Sequence, residues 1–191
     1  MSDDDDFALL TRTAQGDRQA FGRFVDRHQA ALLRYLRLLA RGAADAEDAL
    51  QETFIGALRG AASFEGGSAR AWLMTSGRRA LLRARRLRAG EPARHESLDE
   101  LGQRAGWGDP GGPQRIAEQL EARELVHAAL AALCTEDREV LLLRDVEGLS
   151  AAEAAGVLEL SVAALKSRLH RARLRLAGEL RARSAEGGTD G

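Results

Sequence analysis

Every proline of the chain, Pro92, Pro110 and Pro113, falls between Ala89 and Pro113, in company with six glycines. Proline removes a backbone donor and clashes with the preceding turn, and glycine loses the most backbone entropy on ordering, so a regular helix does not run through this stretch. On either side alanine, leucine, arginine and glutamate dominate, with almost no β-branched alternation. That composition, with apolar residues recurring every three or four positions, predicts helices and no sheet. The expectation is an all-α protein. Two small helical domains, 1–88 and 114–183, are joined by a flexible linker over 89–113 and followed by a loose tail at 184–191. Helices are expected near 4–15, 18–40, 46–60 and 69–88, then 114–132, 136–146, 150–158 and 162–183, with Asp17, Asp45, Ser68, Thr135, Ser150 and Ser161 where caps are needed. In the second helix Phe21, Phe24, Val25, His28, Leu32, Tyr35, Leu36 and Leu39 recur at helical spacing, a core stripe.

The last expected helix carries "ALKSRLHRARLRL" from Ala164. At 100° per residue Leu165, Leu169, Ala172 and Leu176 fall within roughly 60° of one another, one buried stripe. Lys166, Arg168, His170, Arg171, Arg173 and Arg175 cover the rest. Alone, that pattern fits a solvated amphipathic helix as well as a ligand-binding one. The segment before it decides more. Ser150 with Glu153 forms a capping box, Ala151, Ala154, Ala155 and Leu158 make a small apolar face, Glu159 and Leu160 turn the chain, and Ser161 caps the next helix. A short helix, a tight turn and a basic helix make a helix-turn-helix, whose second helix enters the major groove by its N-terminal residues. The candidate DNA-facing set is Ser161, Ala163, Ala164, Lys166, Ser167, Arg168 and Arg171, with arginine suited to guanine edges and phosphates.

Charge is segregated rather than absent. The totals nearly balance, 28 basic against 29 acidic residues, yet four aspartates open the chain and Gly67 to Gly90 holds seven arginines and no acid. Blocks of one sign point to contact surfaces. A single cysteine, Cys134, permits no internal disulfide, suits a reducing cytoplasm and builds no zinc site; its apolar setting suggests a core residue. No apolar run approaches the roughly 18 residues of a membrane span, and the acidic N-terminus lacks signal-peptide features, so a cytoplasmic protein is expected. No catalytic constellation, metal-ligand cluster or phosphate-cradling loop is evident, and no cofactor is expected.

Read in order, "QGDRQAFGRFVDRH", "DAEDALQETFIGAL", "ARAWLMTSGRRALLRARR" and "REVLLLRDVEGLSAAEAAGVLELSVAALKSRLHRARLRL" resemble the extracytoplasmic-function sigma factors of bacterial RNA polymerase, over roughly 7–88 and 114–180. The resemblance implies that the first domain docks the polymerase clamp and opens the minus-ten promoter element, and that the second reads the minus-thirty-five element. It implies core-polymerase contacts at Asp48, Leu50, Gln51, Glu52 and Ile55. The helical wheel puts Asp48, Gln51, Glu52 and Ile55 on an exposed flank and Leu50, Phe54 and Leu58 on another. An acid cluster that only complements the helix dipole is the plainer reading. For the minus-ten element and melting it implies Phe64, Arg70, Trp72, Arg78, Arg79, Arg83 and Arg86. The loop "SFEGGSARAW" would capture an unpaired base, although Phe64 and Trp72 also suit a core. Arg78, Arg79, Arg83, Arg85 and Arg86 share one helix without acids and are expected to repel one another unless phosphates attend them. The acidic linker either follows a basic channel of the polymerase or is a plain tether, and Trp107 either anchors to polymerase or covers the domain interface. The implied partners are core RNA polymerase, promoter DNA and an anti-sigma factor.

Departures from the family pattern are specific. Arg79 and Arg83 stand where Asn and Asp are common, Glu159 where the turn usually holds glycine, and Cys134 where proline is common. Two other classes compete. A stand-alone helix-turn-helix regulator would bind duplex DNA without polymerase, and Glu124 with His127 has the Glu-x-x-His spacing of di-iron bundles but no second copy.

Overall fold

The computed structural model describes residues 3–87 and 113–187. All regular structure in these residues is helical, in eight α-helices. In the first half they are α1 (Asp3–Ala14), α2 (Arg18–Leu39), α3 (Ala43–Gly60) and α4 (Ala69–Leu87), with a short 3-10 turn at Ala61–Ser63. The second half holds α5 (Pro113–Ala132), α6 (Thr135–Leu141), α7 (Ala151–Leu158) and α8 (Val162–Gly187), with a π-turn at Leu142–Val146. The expected linker lies outside the described residues up to 112, and the expected tail does so from 188.

Local chemistry sets most boundaries. Asp17 accepts from the Ala20 amide at 3.0 Å and starts α2. Ser68 accepts from the Ala71 amide at 3.3 Å ahead of α4. Ser150 and Glu153 form the reciprocal capping box of α7. Four expectations need correction. Helix α3 starts at Ala43 behind Gly42, so Asp45 sits in its first turn, where it complements the helix dipole rather than capping. Cys134, exposed, holds the cap position of α6 without a side-chain bond, and Thr135 is already helical. Pro113 begins α5 instead of ending the linker; its fixed φ and missing donor suit a first helical turn. Helix α8 runs on to Gly187 instead of stopping at 183, with Glu179 and Arg183 paired and the Ser184 hydroxyl bonded to the Leu180 carbonyl at 2.9 Å.

The expected single helix over 136–146 is instead α6 followed by the π-turn. The Glu147 amide reaches back five residues to the Leu142 carbonyl at 2.8 Å. Gly148 then takes φ +69, where a side chain would be strained. The wider turn re-aims the chain so that Glu147 is buried.

In the first half, α2 is the central element, packed by α1, α3 and α4 around Phe24, Leu32, Tyr35, Leu36, Leu73 and Met74. Its expected stripe is buried at Phe24, His28, Leu32, Tyr35 and Leu36, while Phe21, Val25 and Leu39 are half-buried. Asp6 ties α1 down, accepting from Arg27 at 2.6 Å and meeting His28 Nε2 at 2.9 Å. Burial pushes the His28 imidazole below its usual range, and the Asp6 carboxylate opposes that shift. The second half closes over Val140, Leu143, Val157 and Leu165. The two halves also touch: α4 packs along α7, and α2 meets α6.

Where α4 crosses α2 and α3, Gly77 leaves no room. A Cβ there would stand 2.9 Å from Leu36 Cδ2, 3.2 Å from Thr53 Oγ1 and 3.3 Å from Leu32 Cδ1. Leu32 and Leu36 are themselves fully buried, and the Thr53 hydroxyl is held on the Ala49 carbonyl at 2.6 Å. Gly77→Val is therefore expected to lower unfolding free energy by about 2 kcal/mol, the range typical of overpacking. Urea denaturation followed by circular dichroism measures it; a variant as stable as the parent contradicts the crossing.

Candidate functional site

Three surfaces carry the residues singled out from the sequence. The first is the start of α8. Ser161 accepts from the Ala164 amide at 3.1 Å and caps the helix. Leu165, Leu169 and Ala172 are buried, which turns Ser161, Ala163, Ala164, Lys166, Ser167 and Arg171 to solvent and leaves Arg168 half-buried. Val162, 41% exposed in the first turn, belongs to the same face and was missed, although its place directly after the cap was a signal. The turn before it is made by Glu159 at φ +56, left-handed backbone that glycine adopts without cost. Helix α8 does not offer all its cations to a ligand. Arg173 is forked onto Asp145 at 3.1 and 2.5 Å, and Arg175 is bonded to Asp137. These carboxylates hold both guanidiniums more firmly protonated than usual. Lys166, Arg168 and Arg171 have no ion pair among the described residues.

The second surface is α3 with its neighbour α2. Asp48, Gln51, Glu52 and Ile55 are exposed and Leu50 is half-buried. The helix buries Ala46, Ala49, Thr53, Phe54 and Ala57. Leu58, expected with the inward flank, is instead 47% exposed, and Ile55 is 42% exposed. Both line an open apolar groove of about 300 Å³ between the helices, together with Phe21, Val25, Leu50 and Phe54, and Glu47, Gln51 and Gln29 mark its polar edge. Phe21, Val25 and Leu58 belong to this site and were missed, because periodicity marks a residue as apolar without saying what covers it.

The third surface is the arginine helix α4. The expectation that its arginines need phosphates is corrected for Arg78, Arg79 and Arg83, which carboxylates from other elements attend. Arg70 donates to the Glu147 carbonyl at 2.8 Å and lies 3.7 Å from its carboxylate. Arg78 Nε donates to Glu139 at 3.0 Å, Arg79 to Glu159 at 3.4 Å, and Arg83 to Glu52 at 2.7 Å. Among the described residues Arg86 reaches the Leu82 carbonyl of its own helix, at 3.3 Å. The side chain of Arg85 lies outside the described residues. Arg34, on α2, also donates to Glu147, and the Tyr35 hydroxyl donates to Glu139 at 2.6 Å. Burial, then the Glu139 charge, pushes the Tyr35 phenol well above its usual range, so it stays a neutral donor.

Ahead of α4, the Phe64 ring lies 5.1 Å from that of Trp72 and 6.4 Å from that of Phe7. Phe64 and Trp72 are half-buried against the core, so each keeps one side for packing and one for solvent. Gly66 and Gly67 turn the loop at φ +105 and +85.

One half thus carries an open apolar groove and the other a capped, cationic helix start. Comparison with known proteins decides the family. The Sigma-70 region 2 model matches residues 24–90 and the Sigma-70 region 4 model matches 123–176. The RNA polymerase sigma factor CnrH of Cupriavidus metallidurans is 37% identical over 188 residues, 95% of this chain and 97% of that protein. The chain belongs to the ECF RNA polymerase sigma factors. Another member, SigM of Mycobacterium tuberculosis, is 36% identical over 174 residues, 90% of this chain and 83% of its own length. The solved structure of CnrH in complex with the cytosolic domain of CnrY superposes with a TM-score of 0.60 at 31% identity, covering 93% of this chain and 98% of that one. In this sigma factor region 2 takes in most of α2 and all of α3 and α4, and region 4 runs from within α5 into α8. The two matches flank the proline-bearing stretch that divides the sequence.

Proposed function

We propose that this sigma factor binds core RNA polymerase through the α2–α3 groove and directs it to promoters. The α4 face and the loop before it take the minus-ten element and help melt it, and the start of α8 takes the minus-thirty-five element. The observation that carries the reading is the pairing of an uncovered apolar groove, edged by Gln51 and Glu47, with a helix start whose Lys166, Arg168 and Arg171 have no ion pair among the described residues. A flat polar rim around apolar anchors suits protein docking, and a capped N-terminus with free cations suits a major groove. On this reading residues 1–88 are the polymerase-binding and minus-ten domain and 114–183 the minus-thirty-five domain. Phe64 and Trp72 supply the wall on which an unpaired base stacks. The chain acts as a specificity subunit and any catalysis is the polymerase's. An anti-sigma factor fits as a further partner, since the sigma factor RpoE of Bartonella quintana, 26% identical with a TM-score of 0.59, is solved in complex with the anti-sigma factor NepR. No helix among the described residues is long and apolar enough to cross a membrane.

The deciding experiment incubates the purified chain with core polymerase and genomic DNA and sequences the transcript starts. New discrete starts that require the chain establish the activity; binding of duplex DNA with no new starts would favour a stand-alone regulator.

The start of α8 yields its own expected result. Alanine at Arg168 costs about 1 to 3 kcal/mol of discrimination if that side chain reads a base, and lowers binding evenly across sequences if it touches phosphate. Footprints of holoenzyme on matched promoter variants separate the two. Equal occupancy by the parent and a Lys166→Ala, Arg168→Ala, Arg171→Ala triple variant removes this helix from the site.

A further inference from the structure

The contact between the two halves has an unusual charge arrangement. In its ion pairs among the described residues, the cations come from the first half and the carboxylates from the second. Arg34 on α2 and Arg70 on α4 converge on Glu147, Arg78 on α4 donates to Glu139, and Arg79 reaches Glu159. The Glu147 and Glu139 side chains are 2% and 5% exposed, whereas Arg34, Arg70 and Arg78 keep 29%, 38% and 20%. The cations thus sit at the wall and the carboxylates are pressed into it: Glu147 accepts from Arg34 with Arg70 3.7 Å away, and one oxygen of Glu139 accepts from both Tyr35 and Arg78. A buried anion met by guanidinium donors is also how a phosphate is held.

Such an interface is poorly suited to permanent closure. The desolvation cost of buried ion pairs largely cancels their attraction, so they add little net stability. Withdrawing the second half returns both sets of charges to water, so the lost attraction is offset by recovered hydration. The face can therefore exchange the second half's carboxylates for another anion of similar geometry at little net cost.

We infer that Arg34 belongs with Arg70 and Arg78 to a binding face for nucleic-acid backbone phosphates, and that the Glu139 and Glu147 carboxylates occupy this face within the free chain. The inference rests on the proposed function and adds two things to it. It extends the phosphate site from the arginine helix onto α2, where no arginine cluster marks it in the sequence. It also makes promoter phosphates and the second half competitors for the same three guanidiniums, so engaging DNA at this face requires the π-turn segment carrying Glu147 to withdraw.

The test uses the full chain, with a fluorescein-labelled oligothymidylate as probe and anisotropy read over a salt series. Glu139→Gln with Glu147→Gln keeps the size and a hydrogen-bond acceptor at each position while removing both charges. This double variant should bind the probe more tightly than the parent without polymerase, with the slope of log affinity against log salt steeper by up to about two units for three freed cations. Adding Arg34→Gln should take back about 0.7 of a unit. A double variant no tighter than the parent, or a slope that Arg34→Gln leaves unchanged, overturns the inference. Should the double variant fail to fold, Arg34→Lys and Arg34→Gln are compared in reconstituted holoenzyme. Lysine should preserve the salt slope of promoter opening and glutamine should flatten it, and equal slopes overturn the inference. Discrete transcript starts from the parent holoenzyme alongside either negative result leave the proposed function standing; their absence removes it.

Discussion

Aspartate at both Ile55 and Leu58 is expected to abolish stable association with core polymerase while leaving the fold intact. Both side chains stand at the lip of the α2–α3 groove, and neither is among the residues α3 buries, so the substitutions cost the helix little. Central apolar anchors of an interface cost roughly 2 to 4 kcal/mol when lost, about 30- to 1000-fold in Kd. Burying a carboxylate against a partner adds to that loss. Pull-down with core polymerase and a circular dichroism melt are read together. An unchanged melt with undiminished pull-down removes the groove from the docking site. Charge reversal at Asp48 and Glu52 should weaken association less, because exposed rim charges act mainly on the rate of encounter.

The second large effect concerns Arg79 and Arg83, where this chain leaves the family pattern. Their partners, Glu159 and Glu52, are as exposed as they are. Exposed pairs contribute about 0 to 1 kcal/mol, so a promoter phosphate displaces them readily. Arg79→Asn with Arg83→Asp should flatten the slope of log affinity against log salt by up to about two units if both cations touch duplex phosphates. That amounts to roughly tenfold over a fourfold range of salt. Promoter opening by reconstituted holoenzyme, parent against double variant, measures it, and base preference should shift much less than affinity. Parallel slopes with an altered base preference would mean that these arginines read sequence instead.

The two halves of the chain differ in how far they could be read ahead of the structure, and the difference follows sequence distance. The caps at Asp17, Ser68, Ser150 and Ser161 join residues three apart, and all four hold. Glu159, read from the sequence as part of the turn, takes a left-handed backbone there. The helical stripe of α2 and the helix-turn-helix are legible for the same reason: period and capping are local properties. Family membership was legible because four motifs occur in order.

Partner choice was not legible. The acid-free run from Gly67 to Gly90 does contain arginines without nearby carboxylates, and along the sequence that remains true. The carboxylates arrive from far away, 61 residues from Arg78 to Glu139 and 113 from Arg34 to Glu147. Periodicity likewise marked Phe21, Val25 and Leu58 as apolar, but whether such a residue is covered depends on how neighbouring helices cross. The sequence by itself determined that the chain is helical, four of the six expected caps and the exposed start of α8, because each depends on backbone conformation and on neighbours within about one turn. Only the tertiary structure decided that the α2–α3 groove stays open and that Glu139 and Glu147 lie on the arginines of α2 and α4. Coulombic attraction acts between whatever charges the folded chain brings together, and that is set by helix crossings and by the π-turn that re-aims Glu147.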